Sequence, residues 1–128
     1  MQPDYTVETV KPYADAVQAV VDATEVHGFR VQFVHDVAAT LAGKGFEREP
    51  VTIVEICNAR FASQALARDV KIGLMLPCPV MVYEVEGSVF ISTMRPSLIG
   101  GLYPEAGIDD VASEVEGIIM GIVDEAAA

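Results

Sequence analysis

Residues 51–84 read VTIVEICNARFASQALARDVKIGLMLPCPVMVYE. Val51 to Cys57 follows Pro50 and is rich in β-branched residues, which predicts a strand. Asn58 is a helix-capping type, and Ala59 to Arg68 is a run of strong helix formers. Val80 to Val85 predicts another strand. Glu86-Gly87 then supplies a two-residue hairpin signal before Ser88 to Met94. Strand, helix and hairpin within one stretch require a sheet that is antiparallel at least in part, with a helix packed on it.

Working outward, Asp4 to Val10 alternates as a first strand, and Pro12 suits the first turn of a helix. Tyr13, Val17, Val20 and Thr24 recur at helical spacing, and Gly28 is a natural stop. Phe29, Val31 and Phe33 alternate with polar neighbours, which predicts a half-buried strand. Asp36 then caps a short helix, Val37 to Ala42. Arg95 to Gly107 carries two prolines and Gly100-Gly101 and reads as a loop. Asp109 or Asp110 is expected to cap a last helix whose buried stripe is Val111, Val115, Ile118, Ile119 and Ile122. The order is β-α-β-α-β-α-β-β-α over residues 1–128, read as one domain. Each helix has an apolar stripe to bury. The expected class is therefore α+β, with a single mixed or mainly antiparallel sheet and helices packed against it.

The 128 residues are 52% hydrophobic and 21% charged, a composition that folds. Nineteen acids against eight Lys and Arg give a formal charge of −11. Proteins that grip phosphates do so with cations, so neither nucleic acid nor an anionic membrane is an expected partner. The N-terminal MQPDYTVETV lacks the basic and apolar regions of a signal peptide, and a cytoplasmic location is expected. A chain already trimmed to its mature form would read the same way. The longest apolar stretch, Ile72 to Tyr83, is broken by prolines and too short to span a bilayer.

Both cysteines sit where a strand pattern meets a special neighbour. Cys57 precedes Asn58, and Cys78 is enclosed by Pro77 and Pro79. Their spacing matches neither a zinc ribbon nor a CxxC motif. Glu55 shares a strand face with Cys57 by alternation and would dull its thiol, whereas the helix start at Asn58 would favour thiolate. Packing is the plainer role for Cys57, because free cysteine is among the most buried residue types. The prolines around Cys78 hold the chain extended and could present its thiol at a cleft, or the cysteine could simply fill a gap. A redox pair would need the two Cβ atoms within about 4.5 Å.

His27 stands at a helix end, where capping explains it. His35 ends a strand beside Asp36 and is the candidate metal or cofactor ligand, with Asp36 read as the cap of its helix. Arg95 is the one cation of the loop Arg95 to Gly107. It could orient a carboxylate ligand, or pair with a surface Glu. The sequence contains no phosphate loop, GxSxG elbow or HExxH motif.

Three blocks carry a family resemblance: GFRVQFVHDVAATLAGKGFE (residues 28–47), EICNARFASQAL (55–66) and IGLMLPCPVMVYE (72–84). The chain resembles the domain-of-unknown-function 302 family over roughly its whole length. In that family a strand ends in His-Asp, a Cys-Asn-Pro precedes an alanine-rich helix, and a Leu-Leu-Pro-Cys strand follows. Ala59 replaces the family's usual proline, and Pro79 replaces an asparagine that often follows Pro-Cys. The resemblance implies a small bacterial or archaeal α+β domain, often dimeric, with electron-transfer or sulfur-metabolism partners and haem binding in some members.

From the residues we expect a homodimer, since Leu98, Ile99, Leu102 and Tyr103 make an apolar loop that would not stand free in water. The expected function is a binding module, leaning away from enzyme. Its pocket would lie at strand ends near His35, Cys57 and Cys78, open to haem, a transition metal or a small ligand, with Met75 and Met81 as thioether donors. The alternatives are a thiol-redox enzyme using Cys57 and Cys78, and a purely structural or interaction domain.

Overall fold

Glu86 and Gly87 have φ values of 51° and 87°, the left-handed pair that a two-residue hairpin turn requires. They join β4 (Cys78–Val85) to β5 (Ser88–Met94) and set the middle of the sheet. β3 (Val51–Cys57) lies on the other side of β4, and β2 (Arg30–Asp36) follows it at one edge. β1 (Asp4–Thr9) flanks β5 at the opposite edge. The computed structural model describes residues 2–128. Among them, five strands form one sheet in the order β1-β5-β4-β3-β2, and every neighbouring pair is antiparallel. The class is α+β, and of the two expected sheet types the fully antiparallel one is found.

The helices are α1 (Tyr13–Val26), α2 (Val37–Ala42), α3 (Ala59–Arg68), α4 (Leu98–Leu102) and α5 (Asp109–Ala127). Alternation sends Val54 and Ile56 of β3, Val80 and Val82 of β4, and Ile91 of β5 to one face, all fully buried. Val20 of α1 and Ile119, Ile122 and Val123 of α5 close over them, joining the same core cluster. The opposite face carries Phe33, Ile53, Met81, Tyr83 and Phe90. Tyr83 and Phe90 stack there at 5.5 Å between ring centroids.

Several local expectations need correction. The stretch Arg95 to Gly107 is not a plain loop. It contains α4 and a 3-10 turn, Pro104–Ala106. Its glycines and prolines hide a short helix that tertiary contacts hold: the Glu116 carboxylate accepts from the Ser97 amide (3.1 Å) and from its hydroxyl (2.6 Å). Ile108, not an aspartate, occupies the cap position of α5, and Asp109 and Asp110 lie in the first turn, where their charge suits the helix dipole. Val70–Met75 forms a 3-10 helix that the sequence pattern did not single out. β4 begins at Cys78 rather than Val80, so this cysteine is already paired across the sheet. His27 lies 3.3 Å from Glu125 on α5, a packing role.

α5 has no basic residue in its last turn. The cation arrives from the sheet side instead: Lys11 Nζ donates to the carbonyls of Ala126 and Ala128, and Thr9 Oγ1 donates to that of Ala127 (2.9 Å). These bonds satisfy carbonyls that a helix end leaves without partners. The core prediction follows from burial. Ile91→Ala, at a position 0% exposed, should lower unfolding stability by about 2–5 kcal/mol in denaturant titration. Val10→Ala, at a position 99% exposed, should change it by less than about 0.5 kcal/mol. Equal effects at the two positions would contradict this packing.

Candidate functional site

The β3–β4 register puts Ile56 opposite Cys78, so Cys57 is the diagonal neighbour of Cys78. Adjacent strands at about 5 Å and one residue of offset place the two Cα atoms roughly 6 Å apart. Beyond Cys57 the chain leaves β3 for α3. Asn58 fixes that departure: its Oδ1 accepts from the Phe61 amide (3.1 Å) and its Nδ2 donates to the Gly28 carbonyl (3.0 Å). Phe61, on the inner face of α3, then stacks with Phe29 at 6.0 Å.

Cys57 and Cys78 both line a cavity of about 40 Å³ bounded by those two phenylalanines. Its other walls are Ala62 and Ala65 of α3, Ile72 and Leu76, Pro96 and Ile99, and Ile108, Val111, Ala112 and Val115 at the start of α5. Apart from Asn58 and the two thiols, the lining is apolar. Cys78 also borders a second space of about 30 Å³, lined by Met75, Met94, Arg95, Leu98 and Leu102. Burial pushes the Cys78 thiol up to about 11, with the neighbouring Cys57 adding to the rise. At neutral pH it is a protonated thiol and a poor nucleophile. Glu55 faces away from the cavity, opposite Phe33 on one side and Pro79 on the other. Alternation from Glu55 misplaced Cys57 because the strand ends there.

His35 does not join the cysteines. It pairs with Ile53, whereas Cys57 pairs with Arg30 at the other end of β2. Five residues of strand separate those positions by roughly 17 Å. Antiparallel pairing sends the C-terminal ends of β2 and β3 to opposite borders of the sheet, so "strand end" did not mean one place. His35 Nε2 lies 3.2 Å from Thr40 Oγ1, and its ring is 6.0 Å from that of Phe33. Met81 faces the outer side of the sheet with Ile53. Met75, by contrast, lies beside Cys78.

Arg95 stands beside a partly buried carboxylate. Its guanidinium is 3.7 Å from Glu116 and 5.6 Å over the Tyr5 ring, which ties the segment to α5 and β1. Among the described residues no three His, Cys, Asp or Glu side chains stand together as a metal site. The residues that sequence reading missed are the cavity walls Phe29, Phe61, Ile99, Ile108 and Val115. Each reads as ordinary core; for Ile99 and Ile108 a signal was present in the apolar content between Arg95 and Ile108, and for Phe29, Phe61 and Val115 there was none.

A raised thiol pKa is also a statement about stability. The fold favours neutral Cys78, so the unfolded chain releases this proton first as pH rises from 9 towards 11. Stability from this group is complete below pH 9 and is lost as pH passes through about 11, a change of about 2–3 kcal/mol. Tyr5 and Tyr13 are also raised and add to the alkaline slope. The contrast between wild type and Cys78→Ala therefore isolates the thiol. Denaturation midpoints measured from pH 8 to 11 should fall more steeply for wild type than for Cys78→Ala. Parallel curves would show that the thiol is not enclosed.

This geometry meets known proteins at two points. A crystal structure of an uncharacterized conserved DUF302 protein from Bacillus stearothermophilus superposes with a TM-score of 0.93, covering 98% of this chain and 99% of that one. At 24% identity the likeness establishes the shared fold. No functionally curated protein matches the sequence. Among the described residues no helix is long and apolar enough to cross a membrane. Residues 5–126 match the family described as Domain of unknown function DUF302, and the chain belongs to that family.

Proposed function

We propose that the protein is a homodimeric, non-catalytic binding module that takes a small ligand into the cavity beside Cys57 and Cys78. The observation that carries this reading is the cavity lining, which is apolar except for two thiols and one cap residue. Binding sites combine such walls with a few convergent polar groups, whereas catalysis needs an activated nucleophile or a general base. The protonated Cys78 thiol does not supply one. The volume of about 40 Å³ limits the occupant to a few heavy atoms unless the segment 96–108 moves outward. Haem is far larger, and the distance between His35 and the cysteines gives its iron no shared imidazole–thiolate ligation. The net charge of −11 keeps nucleic acid out of this reading.

The adjacency of Cys57 and Cys78 favours a second reading, a thiol-redox enzyme. The raised Cys78 pKa opposes it, because exchange proceeds through thiolate.

The dimer rests on the outer sheet face rather than on the loop. Ile99 and Tyr103 pack on the core, and Leu102 is the loop's strongly exposed apolar residue. Across the sheet, however, Phe33 is 57% exposed and Met94 46%, flanking half-buried Ile53, Pro79 and Met81. A second copy presenting the same apolar face would cover these residues in a two-fold, self-complementary contact. Sedimentation at micromolar concentration should give twice the 13.7 kDa chain mass. Met81→Glu should shift it to the monomer. A wild-type monomer would remove the dimer from the reading. For the cavity, xenon is the size-matched apolar probe. Saturable NMR shifts confined to Phe29, Phe61, Ile99 and Val115 are expected, and unaltered spectra would exclude an accessible pocket.

A further inference from the structure

We propose that Cys57 and Cys78 form a two-coordinate site for a soft monovalent d10 cation of the copper(I) class. The proposal rests on the cavity of the preceding reading and names its occupant, and it requires neither the dimer nor an organic ligand.

The coordination number carries the argument. Two cysteines from adjacent strands line one apolar cavity, and among the described residues no third His, Cys, Asp or Glu joins them. Zinc and divalent iron need three or four such donors and find only two here. A d10 monovalent ion prefers thiolate and thioether sulfur and is satisfied by two ligands. The volume of about 40 Å³ suits an ion better than an organic molecule.

Charge and access agree with this choice. Binding forms two copper–sulfur bonds, breaks two S–H bonds and releases two protons to solvent, while copper stays monovalent. The bound unit carries one negative charge. It lies at the start of α3, where the helix N-terminus favours an anion, and Arg60 sits 4.3 Å over the Phe61 ring that walls the cavity. Met75 and Met94 line the neighbouring space that Cys78 also borders. Thioether sulfur, the same soft donor class, thus stands beside the thiol. Arg95, which also borders that space, is engaged by Glu116.

The test uses the reduced full chain under anaerobic conditions, titrated against a coloured copper(I)–bicinchoninate chelate. The protein should withdraw one copper per chain and bleach the chelate, more completely at higher pH because two protons are released. Cys57→Ala and Cys78→Ala should each leave the chelate coloured. Cysteine packs as a small apolar residue, so both variants should keep the wild-type circular dichroism. Should either unfold, X-ray absorption of the wild-type copper adduct decides, with two sulfur neighbours expected. Met75→Leu should slow uptake without changing the stoichiometry. The proposal is overturned if the wild type leaves the chelate intact, or if either cysteine variant withdraws as much copper as the wild type. Nitrogen or oxygen ligation in the absorption spectrum, or equal retention of cobalt(II), overturns it as well. Copper uptake without any xenon response would remove the apolar-ligand reading alone.

Discussion

The register between β3 and β4 is the constraint on which the rest depends. Val54 opposite Val80, and Ile56 opposite Cys78, put one continuous apolar strip under α1 and α5. A slip of β3 by one residue would turn its half of that strip outward and bring Ile53 and Glu55 against the helices. Each buried Val or Ile contributes about 1.5–3 kcal/mol, so the cost of a slipped register is several such contributions at once, plus a buried carboxylate. The same register makes the two cysteines neighbours. Fold specificity and the dithiol arrangement are therefore one property of the chain.

α5 holds the remaining parts in place from the other side. Asp124 accepts from the Tyr5 hydroxyl at 2.6 Å, which fastens the edge strand β1 to the helix. About two turns earlier, Glu116 gathers Ser97 and Arg95 and so positions the segment that roofs the cavity. These contacts are only partly shielded from solvent, and each is worth little by itself. Their effect is geometric. They fix Pro96 and Ile99 over the cysteines, while the free energy comes from the apolar residues of α5 beneath them.

Most of the fold was legible because its signals are local. The hairpin at Glu86-Gly87, the caps at Asp36 and Asn58 and the alternation in β3 each depend on residues within one turn or strand. Strand order was not legible, since β1 pairs with β5 across the length of the chain and nothing local in Asp4–Thr9 names that partner. α4 was hidden for a related reason: Gly100 and Gly101 give it poor intrinsic propensity, and its start depends on Glu116, far along the sequence. In the site, the two cysteines that the sequence singled out lie side by side, whereas His35 lies at the opposite border of the sheet. Strand-end position is a one-dimensional property, and antiparallel pairing assigns alternate ends to opposite borders of the sheet.

Proline placement explains why a cavity lies here at all. Pro77 and Pro79 lack the N–H that a ladder needs, and the β3–β4 register ends at Ile56 and Cys78, just where Cys57 turns away into α3. Thr93 ties the strand start to β5 by donating its hydroxyl to the Pro79 carbonyl at 3.1 Å. Past the last pair, side chains from α3, α5 and the segment 96–108 close the end of the sheet, and they do so incompletely. Filling the gap with a larger apolar residue at position 78 would satisfy packing alone. Cysteine leaves room and supplies sulfur, at the cost of a thiol that burial holds protonated up to about pH 11. Whatever occupies the space must therefore either tolerate a neutral thiol or bind sulfur strongly enough to displace its proton.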